Sequence, residues 1–264
     1  MFPGARADRS AADYVLVGAP LDVSTSFRPG TRFGPERVRS VARGFEDYDH
    51  HTGLQFTDCA VHDDGDLRAW DDAAEYLAFL EETLADVSET AVPLVVGGEH
   101  TVSVAAVRAC DPDVFVCLDA HLDLRERLDG NPLSHATVTR HALDVADEAV
   151  VLGARAGSEA EWERAAAADV TVVPPESVAD WTLDADGDVY LSVDVDAVDP
   201  GFAPGTGTPE PFGLCPHDVH AVVRAVAPAA VGFDVVEVND RDDGQAATLA
   251  AKLLRAFVYA HAAG

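Results

Sequence analysis

The sequence predicts an α/β fold in which helices cover both faces of a parallel β-sheet. Short apolar runs rich in valine, each bounded by Gly, Pro or Asp, alternate with longer stretches of helical period. That alternation is typical of the βα units that build parallel sheets. The 264 residues, 48% of them hydrophobic, are enough to bury a core, and no linker rich in Ser, Gly or Pro divides them. We therefore expect a single domain over residues 1–264.

The expected elements can be placed in chain order. Valine-rich runs predict strands at residues 14–18, 92–97, 114–119, 149–153, 170–173, 189–194 and 231–236, and we expect another strand near residues 56–62. Amphipathic or alanine-rich stretches predict helices that include residues 71–87, 101–110, 159–168 and 245–261. In open α/β sheets, ligands bind outside the carboxyl ends of the strands, so a site is expected among the residues that follow each strand.

The charge balance excludes one class of function. The chain has 18 Lys and Arg against 47 Asp and Glu, a formal net charge of −29, so it does not bind nucleic acid through charge. Lys252 is its only lysine. Such a surface resembles that of proteins from concentrated salt, where at 1 M the Debye length falls to about 3 Å and charges are screened. We therefore expect a halophilic protein whose fold depends on salt.

The N-terminal residues and the cysteines bear on the cellular compartment. The first ten residues are polar and no apolar stretch follows them, so we expect neither a signal peptide nor an anchor. No run approaches the roughly 18 apolar residues that cross a bilayer, so no membrane partner is expected. The four cysteines lack CxxC spacing, and a chain of this size folds without disulfides. We therefore expect free thiols and a cytoplasmic protein.

Six residues that can bind metals follow three of the predicted strands. They are His100, Asp119, His121, Asp123, Asp194 and Asp196. Side chains alternate across an extended strand, so we expect residues two apart in this set to share a face. Carboxylates brought together in this way repel one another unless a cation neutralises them. Oxygen and imidazole ligands without thiolate suit Mn²⁺ or a similar divalent ion.

Each short motif alone is also typical of a surface turn. Together, at three strand ends of one α/β pattern, the motifs indicate a metal site. Four Asp and two His exceed what one ion in an open catalytic site requires, so the set favours two ions.

These motifs and the segments around them, taken in chain order, resemble a known family, the ureohydrolases, which include arginases and agmatinases. The matching segments are GAPLDVSTSFRPGTRFGPERVR, GGEHT, DAHLD, SHAT, SVDVDAVDPGFAPGTGTPE and VGFDVVEVN, spread over nearly the whole chain. The resemblance implies an arginase-like, three-layer α/β/α domain with a central parallel sheet of about eight strands. It also implies two Mn²⁺ per subunit and a homo-oligomer, either a trimer or a hexamer.

The resemblance implies a ligand set for each ion. One ion would be bound by His100, Asp119, Asp123 and Asp194, and the other by His121, Asp119, Asp194 and Asp196. Asp119 and Asp194 would then bridge the pair. Two ions about 3.5 to 4 Å apart lower the pKa of a shared water, and the bridging hydroxide is expected to attack the guanidinium carbon of the substrate. The products would be urea and an amine.

Four further residues receive roles from the same resemblance. Glu237, in VVEVN, would orient the guanidinium group by a charge-assisted contact. His135, in SHAT, would serve as the acid that protonates the leaving amine. Thr208, in GTGTPE, is expected to hydrogen-bond near the substrate or the metal ligands, and Asn131, in the loop after DAHLD, is expected to contact the substrate.

The branch within the family follows from two segments. The N-terminal SFRPGTRFGPERVR resembles agmatinases, and residues 124–131 do not reproduce the polar contacts with which arginases hold the α-carboxylate and α-amino groups. We therefore expect hydrolysis of agmatine, a small cationic guanidino compound, to putrescine and urea in polyamine biosynthesis. Three departures from the family pattern, at Glu99, Ala136 and Asp240, leave the ligands intact and bear on substrate placement. Arginine, aminopropylagmatine, guanidinobutyrate and formimidoylglutamate stay open as substrates.

Two other functional classes also stay open. Single-metal deacetylases share the same fold, and a non-catalytic binding protein could keep the ureohydrolase fold and its surrounding residues. His121 and Asp196 argue against a deacetylase because they complete a second ion site. Glu237 and His135 argue against a binding protein because it requires neither.

Overall fold

One parallel sheet forms the centre of the fold. The computed structural model describes residues 1–68, 70–184 and 187–264. Its strands are β1 (Tyr14–Ala19), β2 (Val61–Asp66), β3 (Val92–Gly97), β4 (Val114–Leu118), β5 (Glu148–Leu152), β6 (Val170–Val173), β7 (Val189–Asp194) and β8 (Ala230–Val236). They lie in the order β2-β1-β3-β8-β7-β4-β5-β6, and each neighbouring pair is parallel. The expected eight-stranded parallel sheet is confirmed.

Helices cover both faces of this sheet. They are α1 (Gly34–Val41), α2 (Ala73–Ser88), α3 (Val102–Cys110), α4 (Val138–Ala142), α5 (Glu159–Ala165), α6 (Pro216–Val226) and α7 (Gln245–Ala263). One apolar cluster joins the sheet to α1, α6 and α7, and a second joins it to α2, α3 and α4. A smaller cluster packs α5 near β5 and β6. The architecture is therefore the three-layer α/β/α arrangement.

The strands divide their side chains between the two apolar clusters. In β1, Leu16 belongs to the cluster with α1 and α7, whereas Val15 and Val17 belong to the cluster with α2 and α3. All three side chains are fully buried. A strand buried on both faces is apolar at every position, and this is why valine-rich runs located the central strands.

The strand expected near residues 56–62 is wrongly placed. Phe56–Asp58 forms a short 3₁₀ turn, and β2 begins only at Val61. Asp47 holds the turn, because its carboxylate accepts hydrogen bonds from the backbone N–H and the hydroxyl of Thr57 at 3.2 and 2.6 Å. The sequence of β2, VHDDGD, is polar because this strand lies at the edge of the sheet. An apolar pattern therefore could not locate it.

The strand order opens a crevice at the centre of the sheet. β3 and β4 follow each other along the chain but are separated in the sheet by β8 and β7. Ligands of open α/β sheets bind where the strand order breaks in this way. The four central strands β3, β8, β7 and β4 are those whose carboxyl ends lead into the candidate residues. Each helix within the described ranges is too short or too polar to cross a membrane.

Candidate metal centre

The six predicted metal ligands meet at the carboxyl ends of the central strands. His100 follows β3, the residues Asp119, His121 and Asp123 follow β4, and Asp194 and Asp196 lie at the end of β7. All except His121 are buried, with exposed fractions of 5% or less. The His121 side chain is 26% exposed and reaches the surface of a pocket.

Strand alternation is not what brings these residues together. β4 ends at Leu118, and Asp123 has a left-handed backbone with a φ of 51°. Asp196 lies in the 3₁₀ turn Val195–Ala197, after β7 has ended. The expectation of a shared strand face was therefore wrong about the cause, because the loop conformations after the strands produce the convergence.

The first ligand group is centred on His100. Its Nδ1 atom lies 3.1 Å from Asp119 Oδ2, 3.0 Å from Asp123 Oδ2 and 3.6 Å from Asp194 Oδ2. Ligand atoms that stand about 2.1 Å from an octahedral divalent ion are about 3 Å apart. Each of the three oxygens therefore lies at a distance from Nδ1 at which both atoms could bind the same ion.

The second ligand group is centred on His121. Its Nδ1 atom lies 3.0 Å from Asp196 Oδ2 and 3.5 Å from Asp119 Oδ1. Asp119 thus turns one oxygen toward each group, so its carboxylate could bridge two ions. Asp194 turns Oδ2 toward His100, while its Oδ1 accepts a hydrogen bond from the backbone N–H of Asp196 at 2.8 Å.

The donor atoms of the first group fit a bound cation. Among the described residues, His100 Nδ1 and Asp119 Oδ2 are buried and have no hydrogen-bond partner. Buried polar atoms without a partner are costly, and a shared cation would satisfy both. Burial, together with the charges of Asp196 and Asp119, raises the pKa of Asp194 well above its usual value. Burial and the Asp119 charge raise the pKa of Asp123 to about 7.

Cys117 lies beside the first group, but its thiol is a poor ligand. Its Sγ atom is 3.8 Å from His100 Nε2, the ring nitrogen opposite the ligand group. Burial raises the pKa of the Cys117 thiol far above its usual value, so the thiol keeps its proton. Metals bind the thiolate. The usable donors are therefore carboxylate oxygen and imidazole nitrogen, a set that suits Mn²⁺ and similar ions.

A chain of hydrogen bonds fixes the tautomer of His100. Ser192 Oγ donates its proton to Asp234 Oδ1 at 2.6 Å, so its oxygen accepts from His100 Nε2 at 3.1 Å. Tyr190 donates to the other oxygen of Asp234 at 2.9 Å. In the neutral imidazole of His100 the proton is therefore on Nε2, and the lone pair on Nδ1 faces the ligand group.

Glu237 places a further carboxylate at the end of β8. Its Oε1 atom accepts a hydrogen bond from the backbone N–H of His100 at 2.9 Å. Its φ of 62° is left-handed, a strained conformation of the kind that clusters at functional sites. A Cβ atom on Gly207 would lie 2.8 Å from Glu237 Oε2, so glycine leaves room for this carboxylate. Burial raises the pKa of Glu237 well above its usual value.

His135 and Thr208 line a pocket of about 320 Å³ together with His121 and Asp123. Thr208 donates a hydrogen bond to Asp196 Oδ2 at 3.0 Å, so it contacts a candidate metal ligand. Burial lowers the pKa of His135, so its imidazole is neutral at pH 7.

Charged residues at the outer part of the pocket were missed in the sequence. Glu210 Oε1 lies 4.0 Å from His121 Nε2, and its side chain is 41% exposed. Arg125 also lines the pocket and pairs with the buried Glu161 at 3.1 Å. Glu210 belongs to the same TPE segment as Thr208, so this motif could have pointed to Glu210 as a pocket residue. Nothing in the charged loop around Arg125 distinguished that residue.

Asn131 lies in a loop and does not line this pocket. Its amide donates a hydrogen bond to the backbone carbonyl of Leu133 at 2.6 Å, and its Oδ1 accepts one from the N–H of the same residue at 3.0 Å. The exposed Asn131 side chain is therefore engaged in its own loop. The structure brings the other predicted site residues together and leaves Asn131 outside.

Known proteins resemble this chain in sequence and in structure. A profile of the Arginase family matches residues 12–259. An agmatinase from Pyrococcus horikoshii is 32% identical over 94% of this chain and 91% of that protein. An N(1)-aminopropylagmatine ureohydrolase from Thermococcus kodakarensis is 33% identical over 92% of this chain and 88% of that protein. The crystal structure of an agmatine ureohydrolase of Thermoplasma volcanium superposes with a TM-score of 0.92 at 34% identity, covering 98% of this chain and 93% of that chain.

The family match spans the whole sheet and all six candidate ligands. The Arginase family consists of binuclear metal-dependent enzymes, and the two His/Asp groups joined by Asp119 are compatible with such a centre. The chain belongs to the Arginase family, on its agmatinase-like branch, and is a hydrolase of amidino C–N bonds.

Proposed function

We propose that this protein hydrolyses agmatine to putrescine and urea with two Mn²⁺ per subunit. The observation that carries the proposal is the position of Asp119, whose two oxygens face His100 and His121 and join the two ligand groups. A single-metal deacetylase does not require the second ligand group, which is centred on His121. A non-catalytic binding protein has no use for the buried Glu237 and the pocket-lining His135 beside these groups.

The two ions would be held by the ligand sets that the family resemblance implies. The first set is His100, Asp119, Asp123 and Asp194, and the second is His121, Asp119, Asp194 and Asp196. The four carboxylates carry four negative charges, which two divalent ions neutralise. When bound, two such ions lower the pKa of a shared water toward neutrality and supply the nucleophile.

Two residues of the chain act on the substrate itself. Glu237, held by the backbone N–H of His100, orients the guanidinium group by a charge-assisted hydrogen bond. His135 is neutral at pH 7, so it can take up a proton during the attack and pass it to the leaving amine. Thr208 keeps Asp196 in place through its hydroxyl.

Glu210 supports agmatine over arginine as the substrate. Arg125, a cation that lines the same pocket, is already paired with Glu161. The Glu210 carboxylate can therefore attract the terminal ammonium group of agmatine, and it would repel the α-carboxylate of arginine or the carboxylate of guanidinobutyrate.

A longer cationic guanidine is the second candidate substrate. The Thermococcus kodakarensis relative is named as an N(1)-aminopropylagmatine ureohydrolase and is 33% identical to this chain. Glu210 is 41% exposed at the outer part of the pocket, so an extended tail could pass it into solvent. Both candidates share the guanidinium group and a positively charged tail.

The oligomeric state and the cellular compartment are also part of the proposal. We expect a single domain that assembles into a trimer or a hexamer, as the family resemblance implies. The four cysteines are free, which is compatible with the reducing cytoplasm.

Asp196 provides the test of the two-metal proposal. Wild-type protein, purified in molar salt and supplied with Mn²⁺, should convert agmatine to equal amounts of urea and putrescine, measured by chromatography. Asp196→Ala removes a ligand from the second group alone and should abolish urea release while the far-ultraviolet circular dichroism is unchanged. Asp180→Ala, at an exposed aspartate outside the pocket, is the matched control. A variant at Asp196 with the wild-type rate would contradict the two-metal mechanism.

A further inference from the structure

The imidazole of His135 is held at both ring nitrogens by hydroxyl groups of one loop. Ser24 Oγ lies 3.2 Å from His135 Nδ1, and Ser26 Oγ lies 3.2 Å from His135 Nε2. The backbone N–H of His135 also donates to Ser24 Oγ at 3.0 Å. The loop that contains Ser24 and Ser26 therefore determines how this ring is placed and where its proton sits.

The Glu99 carboxylate anchors that loop through hydrogen bonds. It is fully buried and accepts four hydrogen bonds. Oε2 accepts from the backbone N–H groups of Val23 and Ser24 at 2.8 and 2.7 Å. Oε1 accepts from the hydroxyls of Ser24 and Thr101, each at 2.8 Å. A carboxylate with four donors around it acts as an acceptor alone.

The directions of these bonds determine the tautomer of His135. Ser24 has a single hydroxyl proton, and that proton is donated to Glu99. Its oxygen can then only accept from the His135 ring, so Nδ1 of His135 must carry the ring proton. In the neutral imidazole, the lone pair is therefore on Nε2, the nitrogen next to Ser26.

We propose that Glu99 and Ser24 are positioning residues that keep neutral His135 protonated on Nδ1, with the Nε2 lone pair available for proton transfer. The inference rests on the proposed role of His135 as the group that carries a proton to the leaving amine. Glu99 stands at one of the three positions where the sequence departs from the family pattern, and its four hydrogen bonds explain what this glutamate does.

Replacing the carboxylate by an amide reverses the chain of hydrogen bonds. In Glu99→Gln, the amide oxygen faces the backbone N–H groups of Val23 and Ser24, and the NH₂ group faces the hydroxyls. Ser24 then accepts from the amide and donates to His135 Nδ1, which moves the ring proton to Nε2. A change of tautomer is therefore expected without a change in the size of any side chain.

Nitrogen NMR of the metal-free protein, in which no paramagnetic Mn²⁺ broadens the signals, reads this tautomer directly and requires no substrate. In ¹⁵N-histidine-labelled protein, the His135 signals are identified by their loss in His135→Asn. We expect Nδ1 to have the shift of a protonated ring nitrogen in the wild type and in Ser26→Ala, which leaves the Nδ1 side intact. In Glu99→Gln the protonated signal should move to Nε2. A wild-type ring protonated on Nε2, or no change in Glu99→Gln, would overturn the inference.

Kinetics with agmatine supply the second readout. Ser24→Ala should lower kcat about tenfold or more, within the range that general acid–base catalysis contributes, and leave KM within about twofold. Ser24→Thr keeps the hydroxyl and should restore the rate. In a His135→Ala background the Ser24→Ala change should cost nothing further, because Ser24 acts through His135. An equal loss in both backgrounds would contradict the positioning role.

The two readouts separate the two proposals. If wild-type protein releases no urea from agmatine while its NMR spectrum shows the expected tautomer, the proposed substrate is wrong and the positioning chain stands. If urea is released and the tautomer is the opposite one, the positioning inference fails and the proposed function stands.

Discussion

We expect the charge of Glu210 to determine which substrate tail the pocket accepts. Glu210→Gln keeps the size of the side chain and removes its charge. A charge-assisted hydrogen bond contributes about 1.5 kcal/mol, so we expect KM for agmatine to rise about tenfold while kcat changes by less than about twofold. Steady-state kinetics of urea release measures both. Glu163→Gln, at an exposed position of α5 outside the pocket, should leave both constants unchanged.

An unchanged KM in Glu210→Gln would show that the tail is recognised elsewhere. A fall in kcat at constant KM would place Glu210 in the chemistry and not in recognition. Comparison with guanidinobutyrate sharpens the result, because the uncharged side chain should no longer repel a carboxylate tail.

Single residues of the site could be predicted where a motif specifies their chemistry. His100, Asp119 and Asp196 were candidates because carboxylates and imidazoles recur after predicted strands, and the structure brings their side chains together. Glu210 and Ser24 were not identified, because their roles depend on how two loops fold against the strand ends. Asn131 is the predicted residue that lies apart, since its side chain closes its own loop and does not line the pocket.

A buried ion pair joins two elements at the edge of the sheet. Arg39 of α1 donates to both oxygens of Asp63 in β2, at 2.9 and 2.8 Å, and the Asp63 side chain is fully buried. Asp63→Asn removes the more buried of the two carboxylates that Arg39 contacts, the other being Asp66. Because charged hydrogen bonds in a buried site are lost while Asp66 still pairs with Arg39, the free energy of unfolding should fall by about 1.5 to 3 kcal/mol. Denaturant titration at pH 7 measures it, with Asp64→Asn at a more exposed position of the same strand as the control.

The effect of Asp63→Asn should depend on pH. Burial favours a higher pKa for Asp63, but the hydrogen bonds and charge of Arg39 outweigh it, and the pKa lies below its usual value. The pair therefore stabilises the fold above the pKa of the unfolded state, near 4, and this stabilisation is lost as the pH falls through the lower folded pKa. The difference between the wild type and Asp63→Asn should be full at pH 7 and shrink in acid. A constant difference down to pH 2 would contradict the assignment.

Elements were predictable where burial leaves a regular pattern. The central strands are apolar on both faces, so valine-rich runs revealed them. The edge strand β2 has three aspartates in the sequence VHDDGD, and its pairing with β1 depends on register and not on hydrophobic content. The short turns that carry Asp196 and His135 are set by local capping contacts, such as the hydrogen bonds of Asp194 and Ser134 to the following N–H groups.

The charge of the whole molecule leads to a prediction about salt. A net charge of −29 produces strong self-repulsion in dilute buffer, and salt screens it. We expect the thermal midpoint of unfolding to rise steadily with KCl up to molar concentrations. Differential scanning fluorimetry at matched pH measures this rise. A midpoint that is flat or falls with KCl would contradict a halophilic fold.

Urea release from agmatine, compared with arginine under the same conditions, tests the central claim most directly. The assay uses the intact protein with Mn²⁺ in molar salt, and the quantity compared is kcat/KM. We predict rapid urea release from agmatine and little or none from arginine, because the two share the guanidinium group and differ in the α-carboxylate, which Glu210 would repel. Urea from arginine at an equal or higher kcat/KM, or from neither compound with two ions bound, would contradict the proposed function.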